Sequence, residues 1–180
     1  DSKVTVRLRQ VLLNDALDYT KLKAGGLDFE RQAFPLRQHL NDLALTHRPI
    51  AMQKDLDFEL ELDPALPESV EGDPVRLTQI LNNLISNALK FTDHGHVRVA
   101  ARSLDDGKVE FAVEDTGVGI PEAEQARIFA PFTQVRRPDG RQFDGSGLGL
   151  SIARELVERQ GGTLGVRPTD DAAEPATACE

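Results

Sequence analysis

The chain has 180 residues, 39% of them hydrophobic and 28% charged, with a formal net charge of −9. That size and balance fit one main soluble core with a short extra element, and no apolar run approaches the roughly 20 residues of a membrane span. The acidic field disfavours nucleic acid, and the single cysteine, Cys179, permits no internal disulfide and has no companion at metal-ligand spacing; the cytoplasm is the expected setting.

The sequence does not open with a basic leader followed by an apolar stretch but starts abruptly with Asp1-Ser2-Lys3, and so reads as an excised piece. Val4, Leu8, Leu12, Ala16, Tyr19 and Leu22 recur at helical spacing, and Gly25-Gly26 closes that helix. Its apolar stripe is broad enough to require a partner helix or a second subunit. Leu27 to Arg31 is expected as a short strand, followed by a helix through Leu36, Leu40, Leu43, Ala44 and His47 that ends near Pro49. Asp57 to Leu62 alternates Phe58, Leu60 and Leu62 with charged residues, as a strand with one wet face does.

Asp73-Pro74 is a strong helix start, and the helix should run to about Phe91. His96 to Ala101 and Lys108 to Glu114 are strands joined by a turn at Asp105-Asp106-Gly107. Glu122 to Phe129 reads as a short helix, Thr133 to Ser146 as a polar loop, and Leu148 to Gln160 as a helix closed by Gly161-Gly162. Thr163 to Arg167 is a final strand, and residues 168–180 are a tail. The order predicts an α+β two-layer fold, one mixed sheet with helices on one face.

Three segments resist a purely structural reading. Gln79, Asn83, Asn87 and Lys90 lie on one face of the helix from Pro74. A solvated stripe is the plain alternative, yet asparagine is a poor interior helix former. An amide oxygen can complete the shell of Mg²⁺, and Lys90 can meet the same phosphates as a point charge. Asp115-Thr116-Gly117-Val118-Gly119-Ile120-Pro121 follows a strand. It is either a tight turn or a pocket in which the carboxylate accepts from an exocyclic amine such as that of adenine. Its Asp-Thr-Gly also spells an aspartic protease signature, but so much helix argues against that all-β fold. Gly145-Ser146-Gly147-Leu148-Gly149-Leu150 runs into a helix whose amides can bind phosphate. It is neither a dinucleotide fingerprint nor a Walker A loop.

In order, these segments closely resemble the ATPase domain shared by sensor histidine kinases, DNA gyrase, Hsp90 and MutL, and in detail they look like the kinases. Asn83 to Thr92 matches the asparagine box and Asp115 to Ile120 the first glycine box. Phe129-Ala-Pro-Phe132 matches the phenylalanine box, and Gly145 to Leu150 the second glycine box. Leu12 to Gly25 resembles the end of the kinase dimerisation helix, and Pro131 to Gly145 the lid of hybrid sensor kinases.

The resemblance implies a Bergerat-type ATP-binding fold over residues 27–167, with residues 1–26 left over from the second dimerisation helix. It implies that Asn87 coordinates Mg²⁺, Asn83 and Lys90 contact the phosphates of ATP, and Asp115 binds the adenine amine. Gly117, Gly119 and Ile120 would shape the base pocket. Gly145, Ser146, Gly147, Leu148 and Gly149 would line and hinge the lid, with Phe132 at its near end and Arg141, joined by Arg136 or Arg137, on the γ-phosphate. Hydrolytic relatives carry a glutamate where this chain has Asn83, so transfer to a protein histidine is implied rather than attack by water. None of His39, His47, His94 and His96 has the acceptor setting of the family. The implied partners are a histidine-bearing dimerisation domain and a response regulator receiver domain, in a full-length homodimer anchored in the inner membrane. A silent regulatory module and a hydrolytic ATPase are the alternatives.

Overall fold

Glu30 and Asp73, far apart in sequence, meet through a hydrogen bond of 2.9 Å from the Glu30 N–H to Asp73 Oδ2. That contact shows how the computed structural model, which describes residues 16–26, 28–134, 146–166 and 177–179, is organised. Asp73 is the N-cap of the long helix α3 (Pro74–Phe91), its Oδ1 accepting from the Val75 and Arg76 N–H groups at 3.1 Å. One buried carboxylate thus starts a helix and ties down the chain that enters the domain. Because Glu30 spends its N–H on this cap, residues 28–31 form no strand, contrary to expectation. The strand starts just beyond, as β1 (Gln32–Phe34), and pairs antiparallel with β3 (Val70–Gly72).

Helix α1 covers residues 16–23 and ends at Gly25, whose φ of 71° reverses the chain so that the Gly26 N–H reaches the Lys21 carbonyl. Its expected part before Ala16 lies outside the described residues. Helix α2 (Leu36–Gln53) runs past Pro49 instead of ending there. A proline inside a helix frees the carbonyl four residues earlier. Here that residue is Leu45, which is exposed, so water can solvate the freed group while Ala51 stays buried in the core.

The main sheet comprises β2 (Asp57–Leu62), β4 (His96–Ser103), β5 (Val109–Asp115), β6 (Leu164–Val166) and β7 (Thr177–Cys179), in the order β2-β4-β5-β7-β6. β2 lies parallel to β4 and the other pairs are antiparallel, so the sheet is mixed, as expected. Gly107, at φ 82°, closes the expected hairpin between β4 and β5. Alternation sends Val97, Val99, Ala101 and Val113 inward, and sends Arg98 outward to Glu59 at 3.1 Å and Glu114 at 3.2 Å.

Helices α2, α3 and α5 (Gly149–Arg159) cover the inner face and share one core with the sheet, including Leu40, Leu81, Ile85, Ile152 and Leu156. The two-layer α+β reading holds. The tail reading is corrected at Thr177–Cys179, which pairs with Phe111 and Ala112 on one side and β6 on the other. Three residues are too few to show a period of their own, so only their cross-strand partners define them. Helix α4 is shorter than predicted, Glu122–Gln125, with turns over residues 126–129.

His39 on α2 supplies a pH dependence. Its Nε2 lies 2.8 Å from Thr78 Oγ1 and its ring meets the edge of Phe34. Burial pushes its pKa below the ordinary imidazole value of 6.5, against a smaller upward pull from Asp42. The unfolded chain therefore takes the proton first as pH falls, so this stabilisation is complete above the unfolded value and is lost below it. Urea unfolding at pH 7.5 and pH 5.5 should show a smaller pH-dependent loss in His39→Gln than in the wild type; equal losses would dismiss His39 as the sensor.

Candidate functional site

Ile80, Leu81, Leu84, Ile85, Ala88 and Leu89 bury one face of α3. That burial fixes the helix rotation and leaves Asn83, Asn87 and Lys90 half-exposed on the opposite side. Gln79 belongs elsewhere: it accepts from Arg76 Nη1 at 2.9 Å and donates to Asp18 Oδ2 at 3.2 Å. The start of α5 comes up against the two asparagines. A Cβ placed on Gly149 would lie 3.8 Å from Asn83 Oδ1 and 4.0 Å from Asn87 Nδ2. The first-turn N–H groups of a helix have no acceptor within it and carry the positive end of its dipole. Leu148, the N-cap, offers no side-chain cap; Ser146 Oγ accepts from the Leu148 N–H at 3.2 Å. Two amides and a positive helix end thus share one side of the domain, an arrangement suited to a polyanion.

The segment after β5 forms the second wall. Asp115 Oδ1 accepts from the Gly117 N–H at 2.8 Å and faces Thr92 Oγ1 at 3.4 Å. Both contacts use the same oxygen, and Oδ2 can accept a further hydrogen bond. Thr116 pins the turn to the neighbouring strand, its Oγ1 donating to the His94 carbonyl at 3.0 Å and accepting from the His96 N–H at 2.9 Å. Gly117 is squeezed: a Cβ there would stand 2.6 Å from the Phe91 carbonyl oxygen. Gly119 instead needs its freedom of φ, which is +70° in open space. Ile120 contributes its carbonyl to Gln125 Nε2 at 3.2 Å.

The third wall joins the phenylalanine segment to the second glycine segment. Gly147 has φ +69°, and a Cβ there would come within 2.8 Å of the Phe132 carbonyl carbon. Phe129 is half-buried under the Arg154 guanidinium, 4.9 Å from its ring centre. Phe132 is mostly exposed with φ 61°, and its ring meets the edge of Tyr19 on α1 at 6.3 Å. α1 is also held by the Arg159 guanidinium, which donates to the Leu22 carbonyl, and by burial of the Leu22 side chain.

The structure therefore brings Asn83, Asn87 and Gly149 together, sets Asp115 and Gly117 against the end of α3, and joins Gly147 to Phe132. Lys90 lies beside the Phe91 ring at 5.8 Å. Arg136, Arg137, Arg141 and Gly145 lie outside the described residues. Among the described residues no three His, Cys, Asp or Glu side chains form a metal cluster. The chemistry present fits Mg²⁺ held partly by phosphates, with an amide oxygen such as that of Asn87 as the protein ligand. Two residues given no role from the sequence adjoin these groups: Thr92, which closes the asparagine-rich segment and faces Asp115, and Lys54, which nothing local marks and which donates to the Leu89 and Thr92 carbonyls. No helix among the described residues is long and apolar enough to cross a membrane.

Residues 72–177 match the family described as histidine kinase-, DNA gyrase B-, and HSP90-like ATPase. The chain is 40% identical over 157 residues to the signal transduction histidine-protein kinase BarA of Escherichia coli (strain K12), covering 85% of this chain and 17% of that protein. It is 38% identical over 155 residues to the sensor histidine kinase RcsC of Salmonella typhimurium (strain LT2), covering 86% of this chain and 16% of that protein. Among solved structures, full-length ShkA in complex with AMPPNP superimposes with a TM-score of 0.79 at 33% identity, over 93% of this chain and 34% of that one. The chain thus spans less than a fifth of the length of these two curated relatives.

Proposed function

Since the chain belongs to the histidine kinase-, DNA gyrase B-, and HSP90-like ATPase family, we propose that it binds Mg-ATP and transfers the γ-phosphate to a histidine on a separate dimerisation domain. The observation that carries this reading is Asn83, which lies beside the α5 N-terminus one turn before Asn87. An amide cannot accept a proton, so the position offers no general base for water, and ATP is held for another nucleophile.

In that role Asp115 Oδ2 accepts from the adenine amine, with Gly117, Gly119 and Ile120 around the base. Asn83, Asn87, Lys90 and the α5 N-terminus orient the phosphates. Bound Mg²⁺ supplies charge neutralisation on the phosphate oxygens. The bond from the γ-phosphorus to its bridging oxygen breaks to leave ADP, a phosphorus–nitrogen bond forms on the imidazole, and the proton on the other ring nitrogen passes to water. A receiver domain as the next phosphate acceptor, homodimerisation and inner-membrane anchoring of the complete protein belong to the same proposal.

Labelled ATP mixed with this chain and a histidine-bearing helical domain should label that domain. Tight ATP binding without phosphohistidine on any cognate acceptor would favour a regulatory module, and turnover without an acceptor would favour a hydrolase. Asp115→Asn should weaken ATP binding by about tenfold or more and reduce its preference over GTP, because the half-buried acceptor is replaced by a group that also donates. Calorimetric titration with both nucleotides measures this. Unchanged affinity and preference would remove Asp115 from the base pocket.

A further inference from the structure

Lys54 is the first residue after α2, and its ammonium crosses to the far end of α3. It donates to the Leu89 carbonyl and, at 3.1 Å, to the Thr92 carbonyl. The last carbonyls of a helix lack intrahelical donors and carry the negative end of its dipole, so a cation there fixes the final turn.

That turn is the support for the turn after β5. Thr92 is fully buried, and its hydroxyl lies 2.7 Å from the Ala88 carbonyl and 3.4 Å from Asp115 Oδ1, sharing one hydrogen between them. Phe91, next to it, presents the carbonyl that leaves Gly117 no room for a Cβ. Asp115 Oδ1 also holds the Gly117 N–H. The direction of Oδ2 is therefore set by where residues 91 and 92 lie, and their position is set from α2 by Lys54.

We propose that Lys54 is a positioning residue for base recognition, holding the end of α3 so that Asp115 faces the exocyclic amine of the adenine ring. The proposal rests on Asp115 being the carboxylate that reads the base. Lys54 acts through Thr92 and Phe91 rather than by touching nucleotide.

A plain helix cap would also lower stability, so the test needs a cap of the same helix that is remote from the base. Asp73, at the other end of α3, serves. Calorimetric titration of the 180-residue chain with ATP and with GTP compares the wild type with Lys54→Met, Lys54→Arg and Asp73→Ala. Lys54→Met should weaken ATP binding about tenfold while GTP changes little, the scale on which one displaced hydrogen bond registers. Lys54→Arg, which keeps the charge and the donors, should retain most of the preference. Asp73→Ala should lower the melting temperature and leave the preference intact.

A wild-type ATP-to-GTP ratio in Lys54→Met, or a fall no greater than in Asp73→Ala, would overturn the proposal and leave Lys54 as a cap. If Lys54→Met does not fold, Lys54→Gln, whose amide can still reach one carbonyl, is read by the same criterion. Failure of the base-pocket reading appears separately, as a wild-type preference in Asp115→Asn.

Discussion

Asn87→Ala is expected to lower the rate of phosphotransfer from ATP by about 10²- to 10³-fold, the loss typical when one preorganised charge-stabilising group is removed. The substitution should not unfold the protein. Asn87 is half-exposed on α3, and alanine is the better helix former by up to about 0.7 kcal/mol. The expected signature is therefore a wild-type melting temperature with a Mg²⁺ requirement shifted to higher concentration. Initial rates of acceptor labelling across a Mg²⁺ titration would show it. A wild-type midpoint with a rate within about threefold of normal would mean that Asn87 is no ligand, since a factor of three is less than about 0.7 kcal/mol.

Gly117→Ala is expected to abolish most nucleotide binding, by about 30-fold or more, at a stability cost of about 1–3 kcal/mol from overpacking. Its added Cβ would stand 2.6 Å from both Asp115 Oδ1 and the Phe91 carbonyl oxygen. The second is backbone at the end of a helix clamped by Lys54, so the turn after β5 must give way and carry Asp115 with it. Two other glycines separate space from conformation. Gly119→Ala meets nothing within 4 Å but must adopt φ +70°, and Gly107→Ala faces the same strain at φ +82° in the β4–β5 hairpin. Each should lose about 1–2 kcal/mol, and Gly107→Ala should bind ATP as the wild type does. Thermal unfolding and ATP titration of the three variants would check the order. Normal ATP affinity in Gly117→Ala would show that the turn is not the wall of the site.

The legible parts of this protein were those whose cause is local. Asp73-Pro74 announces α3 because a capping carboxylate and a preset φ act within one turn, and alternation marks β2, β4 and β5 because each has one wet face. β3 and β7 are three residues each and are defined by remote partners, so no period could reveal them. Pro49 misleads because the breaker rule assumes that the freed carbonyl has nowhere to go. In the site, Asn83 and Asn87 stand out against an apolar helix and Asp115 against a strand end. What sequence could not supply were the contacts through space: Gly149 on the asparagines, Gly147 on the Phe132 backbone, and Lys54 reaching across to α3.

The parallel pairing of β2 with β4 also governs when the site comes into being. Asp57 is matched with His96 and Leu62 with Ala101, so the whole of α3 lies inside a loop that this pairing closes. Loop-closure entropy must be met before such distant strands reward it, which places the sheet among the slower events of folding. The helix itself can form early, but its asparagines meet Gly149 only after α5 has docked from much later in the chain. A nascent chain emerging from the ribosome therefore carries the asparagine-rich helix well before it carries a binding site, and nucleotide can reward only the fully assembled fold.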